Sequence, residues 1–290
     1  MSDVTPLSAE RRGLLTQAQL YGGSFTDGEA LFLHSFDTPG GQVALALKRG
    51  PGKTGPTEDA AALLPLPNGG IVLLVADGVG GLPTGWKASG MVVASLESQL
   101  NGVDDEDNHV RTAILDGIEN ANSSLLQLAT GTATTLVVAE IRAGSMRTFH
   151  IGDSAAWVCG QRGVVKLQTT PHSPVGFALE AGLMNEAEAL GHDELNVISN
   201  VVGSADMRIE IGPRLQLAAR DTVLLASDGL FDNLLESEII NIIRTGSLSD
   251  NIVQLLQLAE RRMAGVEADK PCKPDDFTAI LFRPSPPSSG

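Results

Sequence analysis

The sequence predicts an α+β fold in which antiparallel sheets are covered on the outside by pairs of helices. Predicted strands follow one another in runs and predicted helices come in pairs, whereas a parallel sheet would require regular β-α-β alternation. No sustained repeat and no strong linker divides the 290 residues, a length that suits one large domain or two small ones. We therefore predict one domain over residues 29–284, preceded by an N-terminal extension over 1–28 and followed by a disordered tail over 285–290.

The first third of the chain is predicted to contain a hairpin and a fully buried strand. Within the extension, a short helix could run through Ala9–Leu20. Two strands, Leu31–Phe36 and Val43–Leu47, flank a Thr-Pro-Gly-Gly turn, which is a hairpin signal. After the Gly/Pro-rich loop 48–60, the unbroken apolar run Ile71–Ala76 predicts a strand buried on both faces.

Two long amphipathic helices are predicted next, at Trp86–Leu100 and His109–Ala129, because their apolar residues fall at helical spacing. After Gly131 the pattern changes to short β-branched runs separated by turns, which predicts an antiparallel meander. Its strands are Thr132–Ile141, Arg147–Ile151, Ala155–Cys159 and Val164–Leu167. The irregular segment 170–213 carries one predicted short helix near Glu186–Leu190. The remaining predicted elements are strands at Leu215–Ala218, Thr222–Ala226 and Phe277–Phe282, a turn or short helix at Leu230–Leu235, and helices at Ser237–Ile243 and Asp250–Met263.

Two of the apolar strands stop at an Asp-Gly pair, Asp77-Gly78 and Asp228-Gly229. Burying an unpaired carboxylate is very costly, so a charge at the end of a buried strand is expected to face a ligand. Asp153 and Asp275-Asp276 lie in similar positions. Hard oxygen ligands without clustered His or Cys favour Mg²⁺ or Mn²⁺ over zinc. Two such ions about 4 Å apart can activate a bridging water for in-line displacement at phosphorus.

Seven motifs follow one another in a characteristic order. They are Glu58-Asp59-Ala60, Asp77-Gly78-Val79-Gly80-Gly81, Gly131-Thr132-Ala133-Thr134-Thr135, Ile151-Gly152-Asp153-Ser154, Pro171-His172-Ser173, Ala226-Ser227-Asp228-Gly229-Leu230-Phe231-Asp232 and Asp275-Asp276-Phe277-Thr278. Together they resemble the metal-dependent protein phosphatases of the 2C type, in the spacing of bacterial members. The resemblance spans about residues 40–283 and implies a four-layer α-β-β-α sandwich of two antiparallel sheets flanked by helix pairs. It would make residues 29–284 the catalytic domain.

The resemblance also implies an activity, which is the hydrolysis of phosphoserine and phosphothreonine in proteins by a hydroxide that bridges two Mg²⁺ or Mn²⁺ ions. Asp77, Asp228 and Asp275 would be the catalytic carboxylates that hold these ions, and Gly78 would offer its carbonyl oxygen. Glu58 and Asp59 would hold metal-bound water or orient the site. Asp153 would bind a third, weaker ion, and residues 173–208 would form the flap that shapes substrate access.

The chain departs from the family pattern where an Arg usually clamps the substrate phosphate. Thr54 stands at that position with Lys53 beside it, and Lys lacks the bidentate fork that Arg offers to phosphate. Lys53 and Thr54 are therefore the candidate phosphate-binding residues, and Arg49 could also reach in. The last metal-binding Asp is usually followed by Asn, but Asp276 stands there, which favours Asp275 as the ligand.

Two alternative functions remain open at this point. The missing Arg motivates a non-catalytic regulatory or binding module on the same fold. An unrelated two-metal hydrolase of small phosphate esters is the other alternative, which the order of the motifs disfavours.

Composition limits the partners of the protein. The formal net charge is −15, from 20 Lys and Arg against 35 Asp and Glu, which argues against binding nucleic acid or an anionic membrane. The two cysteines lack redox or zinc spacing and are expected to be reduced thiols. The N-terminus does not resemble a signal peptide, and no apolar run reaches the ~18 residues of a membrane span. We expect a cytoplasmic monomer that acts on phosphorylated proteins, the substrates of a serine/threonine kinase.

Overall fold

The structure is a computed structural model that describes residues 7–23, 25, 31–79, 84–104, 107–267 and 270–285. Its strands are β1 (Glu10–Leu14), β2 (Gln19–Gly22), β3 (Leu31–Thr38), β4 (Gly41–Lys48), β5 (Asp59–Pro65), β6 (Ile71–Asp77), β7 (Leu136–Arg142), β8 (Ser145–Ile151), β9 (Ala155–Cys159), β10 (Val165–Gln168), β11 (Glu210–Ile211), β12 (Leu215–Gln216), β13 (Thr222–Ala226) and β14 (Phe277–Pro284). Its α-helices are α1 (Gly85–Leu100), α2 (Asp107–Leu128), α3 (Pro174–Glu180), α4 (Glu186–Leu190), α5 (Asp228–Phe231), α6 (Glu236–Ile243) and α7 (Leu248–Met263). Gly80-Gly81, residues 286–290 of the predicted tail, and residues 1–6, 24 and 26–28 of the predicted extension lie outside the described residues.

The strands form two seven-stranded sheets that pack against each other. The first has the strand order β1-β3-β4-β14-β13-β9-β10, and the second has the order β11-β8-β7-β6-β5-β2 with β12 also paired to β8. Among the described pairs only β1 and β3 are parallel. The predicted α+β class and the antiparallel character of the sheets are confirmed.

Strand β6 shows why the sequence gives four layers. Successive side chains of a strand point to opposite faces, so a run that is apolar at every position needs cover on both sides. Leu73 belongs to the core between the two sheets, and Leu74 belongs to the core between the second sheet and helices α1 and α2. Both side chains are fully buried. Helices α5, α6 and α7 cover the outer face of the first sheet in the same way, which completes an α-β-β-α sandwich.

The helix predicted at Ala9–Leu20 is wrong. This segment forms β1, which pairs with β3 in the first sheet, and β2, which pairs with β5 in the second. Each strand completes one edge of its sheet, and Gly13 has a φ of +78°, which a helix would not accommodate. Pairing with distant strands overrides a weak local preference. Residues 10–22 of the predicted extension therefore contribute to both sheets.

The single meander predicted after Gly131 is also wrong, although its four strands exist. Strands β7 and β8 form a hairpin in the second sheet, whereas β9 and β10 form a hairpin in the first. The chain crosses between the sheets at residues 152–154. Gly152 has a φ of +99°, and a Cβ there would lie 2.7 Å from the Cβ of Thr135, so only glycine fits. Alternating sequence identifies a strand but not the sheet to which it belongs.

The predicted helix pairs are confirmed, as is the short helix at Glu186–Leu190. Helix α4 begins with a capping box in which the Asn185 side chain and the Glu188 side chain each accept a backbone N–H of the other residue. Helix α3 was not predicted, and the Ser173 hydroxyl caps it by accepting the N–H of Gly176. Within the described residues, none of the helices combines the length and apolarity needed to cross a bilayer.

Candidate active site

Acidic residues from both sheets meet at one edge of the sandwich. In the second sheet, β5 begins at Asp59 and β6 ends at Asp77, and these two residues are direct partners in the antiparallel ladder. In the first sheet, Asp228 follows the end of β13, and Asp275 precedes the start of its antiparallel neighbour β14. Antiparallel pairing places the end of one strand beside the start of the next, so each sheet delivers two carboxylates to the same edge.

Asp59 is buried and connects the two sheets. Its Oδ2 accepts hydrogen bonds from the Ser227 hydroxyl at 2.8 Å and from the Thr278 hydroxyl at 2.6 Å. Ser227 directly follows β13 and Thr278 lies in β14, both strands of the first sheet. Its Oδ1 is buried without a hydrogen-bond partner among the described residues. Burial, together with the charges of Asp276 and Asp275, raises the pKa of Asp59 well above its ordinary value, although the hydroxyls act in the opposite direction. A cation beside Oδ1 would offset this cost.

Asp77 lies among the other carboxylates. Its pKa is raised well above the ordinary value by burial and by the charges of four neighbours, Asp59, Asp228, Asp275 and Asp153. Its main chain is fixed by the Gly131–Thr135 motif, because the Thr135 N–H and the Thr134 hydroxyl donate to the Asp77 carbonyl oxygen at 2.8 and 2.7 Å. Five like charges in one place destabilise each other unless cations neutralise them.

The glycines after Asp77 and Asp228 occupy positions where the backbone packs closely. A Cβ on Gly78 would collide with the carbonyl group of Gly85, and a Cβ on Gly229 would collide with the carbonyl oxygen of Asp276. The Gly78 N–H also donates to the Glu58 carbonyl oxygen at 3.1 Å. Close packing therefore explains the Asp-Gly pairs, since it holds both aspartates at the strand ends.

The adjacent Asp275 and Asp276 have different environments. Asp276 is almost fully buried, and its two oxygens accept the N–H groups of Gly50 and Glu58 at 2.6 and 2.7 Å. The Asp275 side chain is 28% exposed, and the Lys53 ammonium lies between it and the Glu58 side chain and contacts both carboxylates. Asp276 thus organises the main chain, and Asp275 is the member of the pair that a cation can reach.

The donor set suits a hard divalent cation. The Oδ1 atoms of Asp59, Asp153 and Asp228 are buried and have no hydrogen-bond partner among the described residues. The candidate donors are carboxylate and backbone oxygens, without thiolate or imidazole, and this chemistry selects Mg²⁺ or Mn²⁺.

Sequence comparison agrees with this geometry. The family model for protein phosphatase 2C matches residues 52–264. The chain belongs to the protein phosphatase 2C family.

Relatives and solved structures support the same assignment. Protein phosphatase PhpP of Streptococcus pneumoniae (strain D39) is 32% identical over 205 residues, which cover 66% of this chain and 80% of PhpP. The serine/threonine phosphatase of S. agalactiae superposes with a TM-score of 0.72 at 27% identity, covering 83% of this chain and 98% of that one. The catalytic domain of serine threonine protein phosphatase PstP, solved in complex with 2 manganese ions, has the same fold at a TM-score of 0.67 and 22% identity, covering 84% and 97% of the two chains. The chain is a metal-dependent protein serine/threonine phosphatase, as the motifs implied.

In this 2C-type phosphatase, Lys53 lies at the carboxylates. Its Nζ is 2.6 Å from Oδ1 of Asp275 and 3.2 Å from Oε2 of Glu58. Burial alone would lower the pKa of Lys53, but the hydrogen bond to Asp275 and the surrounding acidic charges raise it above the ordinary value. Thr54 is exposed, and the Arg49 guanidinium donates to a carbonyl oxygen of its own loop. Of the three candidate phosphate-binding residues, the structure brings only Lys53 to the centre.

Asp153 belongs to a second acidic group that sequence reasoning described incompletely. Burial and the charge of Asp228 raise the pKa of Asp153 to about 7, although Lys273 acts in the opposite direction. Burial and Asp228 also raise the pKa of Asp232 to about 8. Asp232 ends the motif Ala226–Asp232 but was interpreted as a structural cap and not as a member of the site, and Lys273 was missed. Asp232 follows Asp228 by one helical turn, which is a usable signal, but no local pattern identifies Lys273.

His172 clamps the crossover that carries Asp153. The Gly152 N–H donates to Nδ1 of His172 at 3.1 Å, and the His172 N–H donates to the Gly152 carbonyl oxygen at 2.9 Å. Because Nδ1 accepts a hydrogen bond, the ring proton is on Nε2, which donates to Oε2 of Glu210 at 3.2 Å. The His150 ring stacks on His172 at 4.4 Å. A cation held by His150, His172 and Glu210 would need the Nε2 lone pair that this tautomer lacks, so the group acts as a positioning network.

A cavity of about 430 Å³ connects this acidic group to the flap segment 173–208. Its inner end is formed by Asp153, Asp228 and Asp232, and its outer wall by residues of α3 and α4. Trp157 and Phe231, whose ring centroids are 4.9 Å apart, line one side. The flap thus forms part of a space that opens directly onto the carboxylates.

Proposed function

We propose that this phosphatase binds two Mg²⁺ or Mn²⁺ ions at the carboxylate centre and uses them to hydrolyse phosphoserine and phosphothreonine in proteins. When bound, such a pair lowers the pKa of a water between the ions and neutralises charge on the phosphoryl oxygens. The proposed ligands and water-orienting residues are Asp77, Gly78, Asp228, Asp275, Glu58 and Asp59. The observation that carries the proposal is the meeting of four strand-end aspartates from two sheets at one edge, with buried oxygens that lack partners among the described residues. The manganese bound to PstP supports the choice of ion.

The residues of the chain have separate tasks in this proposal. The Ser227 and Thr278 hydroxyls fix Asp59, and the Thr134–Thr135 pair fixes Asp77, so the ligands are oriented before an ion arrives. Lys53 is the positive group that binds the substrate phosphate. Its ammonium contacts Asp275 and Glu58, and it would be free to turn towards the phosphate if bound cations neutralised those carboxylates. Lys binds phosphate as a point charge, so the clamp is less directional than a bidentate Arg.

Partners and location follow from the same chemistry. The proposed substrates are phosphorylated proteins, the products of a serine/threonine kinase, and we propose that the phosphatase acts as a monomer in signalling. A cytoplasmic location is supported by the two cysteines, since both Cys159 and Cys272 are free thiols.

The experiment compares Asp77→Asn with the wild-type chain on a phosphothreonine peptide in the presence and absence of Mn²⁺. We expect Mn²⁺-dependent turnover in the wild type and a loss of more than ~100-fold in kcat/KM in the variant, because a ligand contributes more than the outer groups that orient it. Asp116→Asn is the matched control, since this aspartate is exposed on α2. A folded, metal-loaded wild type without turnover would contradict the proposal and favour the non-catalytic module.

A further inference from the structure

Lys273 places an ammonium group between two carboxylates of the acidic group that includes Asp153. Its Nζ donates to Oδ2 of Asp228 at 2.5 Å and to Oδ2 of Asp232 at 2.6 Å. The three side chains are mostly buried, with exposed fractions of 23% for Lys273, 16% for Asp228 and 12% for Asp232. This is a desolvated cation with two anionic partners, unlike a lysine on a solvated surface.

The main chain of Lys273 is held in place independently of its side chain. The Lys273 N–H donates to Oδ1 of Asn233 at 2.9 Å, and Nδ2 of Asn233 donates to the Lys273 carbonyl oxygen at 2.9 Å. The same amide nitrogen donates to the Gly229 carbonyl oxygen at 3.0 Å, and Asn233 is fully buried. One amide therefore ties Lys273 to the helix that starts at Asp228, which fixes the reach of the ammonium.

Lys53 provides a contrast, because its ammonium also contacts acidic residues but its backbone is held weakly. It lies in a Gly/Pro-rich loop, and its N–H donates to the Gly50 carbonyl oxygen at 3.3 Å. The Lys53 main chain is thus held by one long hydrogen bond in its loop, whereas the Lys273 main chain is anchored next to Asp228 by Asn233.

The division of the Asp228 oxygens indicates what the ammonium does. Oδ2 is bound by Lys273, while Oδ1 is buried without a partner among the described residues and stays available to a core ion. The Oδ2 atoms of Asp228 and Asp232, which lie in the same acidic group as Asp153, are bound by the ammonium and are not free to hold a third ion. Two cations so close together in a site of low dielectric would repel each other strongly.

On the basis of the two-ion centre proposed above, we propose that the Lys273 ammonium takes the place of a third metal ion. This chain would then bind two ions and not three. Lys273 would neutralise Asp228 and Asp232 permanently, whatever the metal concentration. Asp153, which the motifs implied as a ligand of a third ion, would instead complete the negative surroundings of this built-in cation.

The test measures Mn²⁺ bound per chain by electron paramagnetic resonance of the free ion, in the wild type, Lys273→Met and Lys273→Gln. Lys166→Met is the control, because Lys166 is also a part-buried lysine paired with a buried aspartate, Asp221, but lies outside the centre. We expect about two ions in the wild type and the control and about three in both Lys273 variants, since the two-metal site is complete without Lys273. Circular dichroism checks that each variant is folded.

Anomalous diffraction at the manganese edge, from wild-type crystals soaked in Mn²⁺, gives an answer that does not depend on any variant. No peak should lie between Asp153, Asp228 and Asp232, and peaks should lie at Asp77. A peak between Asp153, Asp228 and Asp232 would overturn the role of Lys273 and leave the proposed function intact. An unchanged number of bound ions in both folded Lys273 variants would have the same meaning. A wild type that binds no Mn²⁺ would overturn the two-ion centre and the role of Lys273 together.

Discussion

Removing metal ions should make the stability of this phosphatase fall as pH rises, which is the reverse of ordinary acid denaturation. Burial and Asp228 raise the pKa of Asp153 from 3.8 to about 7. A carboxyl group with a raised folded pKa keeps its proton in the folded chain at pH values where the unfolded chain has released it. The group therefore does not affect stability below about pH 4, and it destabilises the folded chain increasingly as pH rises from there to the folded pKa.

The size of the effect follows from the shift. About three pH units at 1.36 kcal/mol each amount to roughly 4 kcal/mol lost above pH 7 for this one group, with a slope of about 1.4 kcal/mol per pH unit. Asp59 and Asp77 also have raised pKa values and add to the slope. Divalent ions bound at the two-ion centre should remove the contributions of Asp59 and Asp77, because a cation beside them stabilises their ionised forms in the folded state.

The assay is urea denaturation at several values between about pH 5 and pH 7, with a chelator or with excess Mn²⁺. In chelator the free energy of unfolding should decline with pH, and Asp153→Asn should make the decline shallower by about 1.4 kcal/mol per pH unit. The exposed Asp116→Asn should leave it unchanged. An Asp153→Asn slope equal to that of the wild type would refute the reasoning. Buried His34 and His150, whose lowered pKa values act on the slope in the opposite direction, are present in both proteins and cancel in this comparison.

Three further substitutions test other parts of the structure. Lys53→Arg should lower KM for a phosphothreonine peptide several-fold, because it restores a bidentate clamp. Lys53→Met should raise KM about 10-fold, because one charge-assisted hydrogen bond is lost. Steady-state kinetics at saturating Mn²⁺ measures both KM values. Leu73→Ala should reduce the free energy of unfolding by about 3–5 kcal/mol in urea, because the side chain is fully buried between the sheets. His172→Ala should cost about 1–3 kcal/mol of stability through the unpaired Gly152 N–H, and kcat/KM should also fall because the crossover carrying Asp153 is released.

Each of these has a control and a contrary result. Leu126→Ala, at a side chain 43% exposed on α2, should change stability by less than about 0.5 kcal/mol. His192→Ala removes an exposed histidine with a local hydrogen bond and should leave the kinetics unchanged. Equal KM values for the wild type and for both variants at Lys53 would exclude a phosphate contact. A Leu73→Ala protein as stable as the control, or a His172→Ala protein with wild-type kinetics, would contradict the packing or clamping role.

The strand-end aspartates were predictable because their signal is local. Asp77 and Asp228 each end an apolar strand, and burial at that point requires a partner for the charge. The preference for Asp275 over Asp276 as a ligand also came from the sequence and stays a prediction; in the structure Asp276 accepts two backbone N–H groups.

What the sequence did not reveal depends on contacts between distant segments. Strands β1 and β2 lie at sheet edges, where pairing with β3 and β5 decides their structure. The crossover at Gly152 changes the sheet of the following hairpin without changing its alternating pattern. Lys273 enters the acidic group because Asn233, 40 residues away, binds its main chain. None of these contacts leaves a periodic trace in the sequence.

The position of β14 constrains when a nascent chain can become active. This strand follows the other thirteen described strands in chain order but lies inside its sheet, between β4 and β13. It carries the Thr278 hydroxyl that orients Asp59. Until the ribosome has released about residue 284, β4 and β13 have no common neighbour and Asp59 lacks one of its two donors. A chain synthesised only up to the start of β14 should thus be unable to dephosphorylate its substrates, because β14 completes both the sheet and the catalytic edge.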